Sequence, residues 1–216
     1  MKNVYQYAVA AVIVVLLGYF SLSFENLNDV KEQRRRATFN AAQYARDFWD
    51  NQLFRVIDQA VEGNELIELF NSNMSEAIQR YGRAPGVSRN YAYLIKGQGA
   101  ILTINDDFLE ISTRESQRHP AINILTGFYI PGNAVRDASG LIDVSTFSDT
   151  MKFNEISGEI NKIIVKEVIQ PFLDKKPKAG DPLRFLGATR VAQDATEEKE
   201  LQLIEVVPIR LELDAS

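Results

Sequence analysis

The chain has 216 residues, 45% of them apolar and 25% charged, the balance of an ordinary globular protein. Its net charge of -5 and pI near 5.1 speak against nucleic-acid binding, whose affinity comes from lysines and arginines that neutralise phosphates. With no cysteine, the sequence has no disulfide, no thiolate nucleophile, no cysteine-rich metal site and no cysteine to carry a lipid.

Residues 3–24 carry no charge and are largely apolar. At about 1.5 Å per residue, roughly 20 residues cross a hydrocarbon core of about 30 Å. Tyr5, Tyr7, Tyr19 and Phe20 mark the two ends with aromatics suited to the interfaces. Residues 1–24 therefore read as a membrane helix in contact with lipid. The other reading is a signal peptide cut after Ser23, where Ser21 and Ser23 supply small residues. Lys31 and Arg34 to Arg36 form the one dense basic run, and a membrane surface is the simpler partner for it. Against Lys2 at the other end, that run leaves the orientation open on charge alone.

Apolar residues then recur in steps of three and four at Ala41, Tyr44, Ala45, Phe48, Trp49, Leu53, Val56, Ile57 and Ala60. The spacing predicts a long amphipathic helix, begun near Glu25 as a stalk and ended by Gly63. Trp49 lies on or beside its apolar stripe, which points to packing rather than to sugar stacking. Asn64 is placed to cap a second helix to about Tyr81, with Glu65 and Glu68 at its positive end. Residues 25–86 thus read as a helical stalk or hairpin, closed by a break at residues 82–86.

Residues 87–216 have a different texture. Strands are predicted over residues 91–104, with Gly97 and Gly99 at a bend or bulge, and from Phe108 to Thr113 after a turn at residues 105–107. A third covers residues 122–130. A helix over residues 154–173 follows, and strands at residues 182–191 and 201–213 close the chain. Five strands with a helix between the third and fourth is the order of the OB-fold. The fold class expected is α+β: an N-terminal membrane helix and helical stalk, then an OB-fold-like five-stranded β-barrel.

No residue pattern announces catalysis. His119 is the only histidine and precedes Pro120 in a polar loop. With no cysteine it cannot build the usual zinc sites, so neither metal nor cofactor is expected. The nucleophile elbow, phosphate loop and dinucleotide fingerprint are all absent. Asp106 and Asp107 suit a turn, and Glu197, Glu198 and Glu200 a solvated loop, so a carboxylate-based hydrolase is only the remote alternative. The connector over residues 132–147 is long and patterned. There Arg136, beside Asn133 and Asp137, is the candidate ligand or partner contact, a bidentate donor to an anion or hydroxyl. The competing role for Arg136 and Asp137 is structural, tying the barrel rim by ion pairs and backbone hydrogen bonds.

Residues 39–53 (FNAAQYARDFWDNQL), 81–101 (YGRAPGVSRNYAYLIKGQGAI) and 132–161, with GDPLRFLGATRV and VVPIRLEL, resemble domain-of-unknown-function family 2291, the predicted periplasmic lipoproteins. The likeness runs from about Phe39 to Leu213. Arg136-Asp137-Ala138 and Trp49-Asp50 are its most specific pieces. It implies a single-pass protein of the cytoplasmic membrane with its C-terminal domain in the periplasm and no assigned activity. Members often lie beside sugar-uptake transporters, which implies an accessory or scaffold role with a membrane transporter complex as partner. A sugar- or polyol-binding domain is the alternative. The sequence departs from the family at its start, where no lipid-bearing cysteine is present.

Overall fold

The computed structural model describes residues 7, 12, 13, 39–112, 121–147, 149–197 and 199–214. The chain divides into two units, Met1–Asn40 and Ala41–Ser216. In the first, Tyr7, Val12 and Ile13 are helical and exposed. The rest of the expected membrane helix over residues 1–24, the stalk before residue 39, and His119 lie outside the described residues.

In the second unit the buried stripe of the first predicted helix is real, but the helix is not continuous. α1 (Ala41–Asp47) gives way to a π turn over Phe48–Gln52 and then to tight 3-10 turns at Leu53–Arg55 and Ile57–Gln59. Phe48 and Leu53 are both buried, yet they stand five residues apart. In an α-helix, at about 100° per residue, such a pair would diverge by roughly 140°. A π turn absorbs the extra residue: the Leu53 N–H bonds to the Phe48 carbonyl, five positions back. Trp49, on this turn, is half-buried.

Val61–Glu62 then forms a short strand, β1, where the sequence suggested a helix ending at Gly63. Gly63 instead opens α2 (Gly63–Tyr81). That helix is interrupted at Asn73, whose backbone is extended at φ -156° and ψ 80°. The Asn73 carboxamide accepts from the Glu76 N–H at 3.1 Å, so it caps the second half. Leu66, Ile67, Phe70 and Ala77 form the buried side of α2, and Phe70 meets Tyr93 edge-on at 4.9 Å.

Residues 41–81 therefore belong to the same unit as the sheet rather than to a separate stalk. β2 (Asn90–Ile104) pairs antiparallel with β5 (Pro182–Ala192) from Asn90↔Ala192 to Ala100↔Pro182. Its far end pairs with β3 (Phe108–Ser112), across an irregularity between Ile101 and Thr103. β3 continues antiparallel to β4 (Ala121–Leu125), β4 parallel to β6 (Leu203–Leu213), and β6 antiparallel to β5. Gly97 serves close packing rather than a bulge, since a Cβ there would stand 2.8 Å from the Phe185 ring.

The expected fold class is corrected in its sheet. The sheet has six strands in the order β1-β2-β3-β4-β6-β5, with β2 also pairing β5, in place of a five-stranded barrel. The sixth strand arises because residues 61 and 62 leave the helical path and add parallel to Ile95 and Lys96. No helix among the described residues is long and apolar enough to cross a membrane, and the expected N-terminal membrane helix falls almost wholly outside those residues. The helical insertion does fall before the last two strands, as α3 (Ala134–Ser139), α4 (Thr150–Ile164) and α5 (Gln170–Leu173). A second π turn, Val165–Ile169, joins α4 to α5 and again reconciles a five-residue step between buried residues, Ile164 and Ile169. Pro171 has no N–H to return to the carbonyl four residues back, which favours the wider turn.

The core lies between the sheet and α2, with Tyr93, Ile95, Ile101, Leu109, Ile111, Ile122, Ile124 and Phe185 from the strands and Phe172 from α5. Each such side chain, fully buried, contributes about 1.5–3 kcal/mol. The crossing of β5 and β6 at Gly187 leaves no room for a side chain. β5 and β6 change register between Leu186 and Gly187, opposite Pro208, which cannot donate to the ladder. A Cβ at Gly187 would sit 2.6 Å from the Val207 carbonyl oxygen. Gly187→Ala should therefore destabilise the domain by about 2 kcal/mol or more. Urea unfolding followed by Trp49 fluorescence measures this, and an unchanged midpoint would refute it.

Candidate functional site

The third predicted strand stops short, and its remainder builds one wall of a groove. The Thr126 and Gly127 N–H groups both donate to the Asp107 carbonyl, at 2.8 and 3.1 Å, which turns the chain away after Leu125. Phe128 and Tyr129 are then left 91% and 81% exposed, while Ile130 returns to the interior. The opposite wall is one face of α4 and its π turn: Asn154, Ser157, Gly158, Asn161, Lys162 and Val165. Steps of three and four align these residues on a single stripe. Gly132, Asn133 and Arg190 complete a groove of about 590 Å³, within the range usual for small-molecule sites.

Hydrogen bonds hold the two walls together. Asn161 Nδ2 donates to the carbonyls of Ile130 and Gly132, both at 2.9 Å. Arg190 Nη1 donates to Asn133 Oδ1 at 2.9 Å. Lys162 pairs with Glu159 of the same helix, three residues back, at 2.7 Å. No aspartate or glutamate lines the groove, and no carboxylate of the described residues pairs with Arg190. Ser157 is 5% exposed, and its hydroxyl has no hydrogen-bond partner. A mid-helix serine commonly turns its hydroxyl to the carbonyl four residues back. Here that carbonyl, Phe153 O, already accepts from Arg136 Nη1 at 2.8 Å.

The three residues singled out in the sequence therefore separate. Asn133 is on the groove, whereas Arg136 and Asp137 lie in α3, all of whose side chains are buried. Arg136 is 2% exposed. Its Nε and Nη2 reach Asp137 Oδ1 at 2.8 and 2.7 Å, and its Cζ stands 3.5 Å from the centre of the Phe153 ring. Phe153 in turn packs on Phe147, and Phe147 on Tyr44, so the guanidinium lies at the end of an aromatic row. Burial lowers the Arg136 pKa from its ordinary value, opposed by the Asp137 charge. The same burial raises Asp137, opposed by Arg136. The described residues contain no group of three His, Asp or Glu side chains placed to hold a metal.

Reading the sequence by apolar periodicity missed Phe128 and Tyr129, which passed as strand residues, and Ser157, Asn161, Lys162 and Arg190. One signal was present. The sequence Asn154-x-x-Ser157-Gly158-x-x-Asn161-Lys162 is a polar stripe at helical spacing beside the apolar one.

A solved structure described as an OB-fold protein from Thermotoga maritima MSB8 is similar at a TM-score of 0.70 and 27% identity, covering 82% of this chain and 99% of the other. The likeness supports the OB-fold kinship expected from strand order. No curated protein matches the chain. The family model for predicted periplasmic lipoproteins, DUF2291, matches residues 12–212, and the chain belongs to that family. The family description makes the protein periplasmic and assigns it no activity.

Breaking the buried ion pair from one side strands the other charge, a loss of about 3–5 kcal/mol in comparable settings. Arg136→Met and Asp137→Leu are each expected to destabilise by that order. The double variant should cost clearly less than the sum, as read from chemical unfolding of all four proteins. Additive losses would mean that the two residues do not act as a pair.

Proposed function

We propose that this periplasmic protein is a membrane-held accessory of a solute-uptake system, and that it acts by binding rather than by catalysis. The observation that carries this reading is the groove with its exposed lip. Two adjacent aromatic side chains, Phe128 and Tyr129, stand in solvent beside a concave, hydrogen-bonded surface. Keeping such rings out of a core forgoes about 1.5–3 kcal/mol each, and exposed aromatic patches of this kind mark contact surfaces. The uncharged, largely apolar run over residues 3–24 supports attachment at the membrane. Association with sugar uptake rests on the family resemblance.

A second reading, binding of a sugar or polyol, is favoured by one observation of its own. Ser157 lines the groove beside Asn133, Asn154 and Asn161, and its buried hydroxyl has no partner. The two readings are compatible, because one lip can hold a ligand and present it.

The test is purification of the tagged full chain from membranes in a gentle detergent. A membrane transport protein should co-purify, and Phe128→Ser with Tyr129→Ser should reduce its recovery several-fold without lowering the melting temperature. Isolation of the protein alone across detergents and growth sugars would overturn the proposal.

A further inference from the structure

We infer that the groove takes a small hydroxylated molecule carrying an oxyanion, carboxylate or phosphate, with Arg190 meeting the anion and Ser157 a hydroxyl. The inference rests on the groove being the binding element, and not on the identity of any transport partner.

Three observations converge. The first is charge. Arg190 brings a cation to a lining without a carboxylate, and among the described residues its guanidinium has one side-chain partner, Asn133, through Nη1, whereas Lys162 is already paired with Glu159. A guanidinium offers five N–H donors in a planar fork, the geometry that carboxylate and phosphate oxygens match. The second is the orphan hydroxyl. Ser157 is 95% buried by its 5% exposure, and leaving such a group unsatisfied costs about 1–3 kcal/mol. A ligand hydroxyl in the groove would satisfy it.

The third is Gly158. It lies inside α4, where glycine costs about 1 kcal/mol relative to alanine. Packing does not require it, because a Cβ at that position meets nothing within 4 Å. Any side chain there would project into the groove that Gly158 lines. The space is thus kept open at a cost in helix stability that no protein contact explains. Together with the stacking faces of Phe128 and Tyr129, it suits a ring of sugar size better than a bare ion.

Isothermal titration calorimetry of the full chain in mild detergent tests this, at one ionic strength. The probes are D-glucuronate and D-glucose 6-phosphate, against D-glucose and inorganic phosphate. At least one of the two sugar acids should bind about tenfold or more tighter than glucose and than phosphate alone, and the better acid identifies carboxylate or phosphate as the preferred anion. Arg190→Gln should weaken that acid by about tenfold and leave glucose unchanged. Arg184→Gln, which removes an exposed charge elsewhere, should change neither. Ser157→Ala should weaken binding several-fold while leaving the free protein at least as stable. Gly158→Leu should abolish binding and raise the melting temperature, because leucine is the better helix former.

Glucose binding as tightly as both acids, or Gly158→Leu binding normally, would overturn the inference. So would the absence of heat with either acid. If the acids fail while Phe128→Ser with Tyr129→Ser still loses the membrane partner, the inference falls and the accessory role stands. If the acids bind and no partner is ever recovered, the reverse holds.

Discussion

Taking a guanidinium out of water costs several kcal/mol unless its donors and its charge are met where it ends up. In this domain that demand is concentrated at Arg136, which is buried on a six-residue helix and satisfied from three directions at once. Asp137 supplies the countercharge, the Phe153 carbonyl takes Nη1, and the Phe153 ring covers the face of the guanidinium. Because Asp137 lies on α3 and Phe153 on α4, the requirement fixes one helix against the other. α3 also packs on β2 and β5, so the same requirement refers α4 to the sheet. The groove inherits its shape from this arrangement. Its floor residue Ser157 is one turn beyond Phe153, and its upper edge residue Asn133 immediately precedes α3.

The site therefore rests on a buried charge that does not itself reach the groove. The Phe153 carbonyl, the usual partner of a hydroxyl at Ser157, accepts from Arg136, and the Ser157 hydroxyl is left without a partner. Arg190, on β5, is near enough that its charge is felt by both members of the buried pair. An anion bound at Arg190 would reduce that field. The buried pair and the groove are electrostatically neighbours as well as structurally joined.

Both interruptions of helical geometry follow from one rule. Where two residues that must be buried stand five apart, Phe48 with Leu53 and Ile164 with Ile169, the backbone widens by one residue rather than exposing either. The gain from burying a large apolar side chain, about 1.5–3 kcal/mol, exceeds what poorer hydrogen-bond geometry over one turn costs. The second π turn also contributes its first residue, Val165, to the lining of the groove.

The amino-acid sequence by itself determined the secondary elements wherever one periodicity ran unopposed: β2 along nearly its whole length, the buried side of α2, the body of α4, β5 and β6. It also determined the family, and the importance of the stretch around Arg136, because unusual polar residues in a long connector are local information. Tertiary structure decided the rest. Val61 and Glu62 became a sixth strand because β2 offered an unpaired edge, which no local pattern records. Phe128 and Tyr129 have the composition of a strand, yet they left the sheet when their chain turned against Asp107. Arg136 was legible as important but not as buried, since one sequence fits both a ligand contact and an internal tie. Only the placement of α4 over α3 distinguished them, by putting Phe153 on the guanidinium.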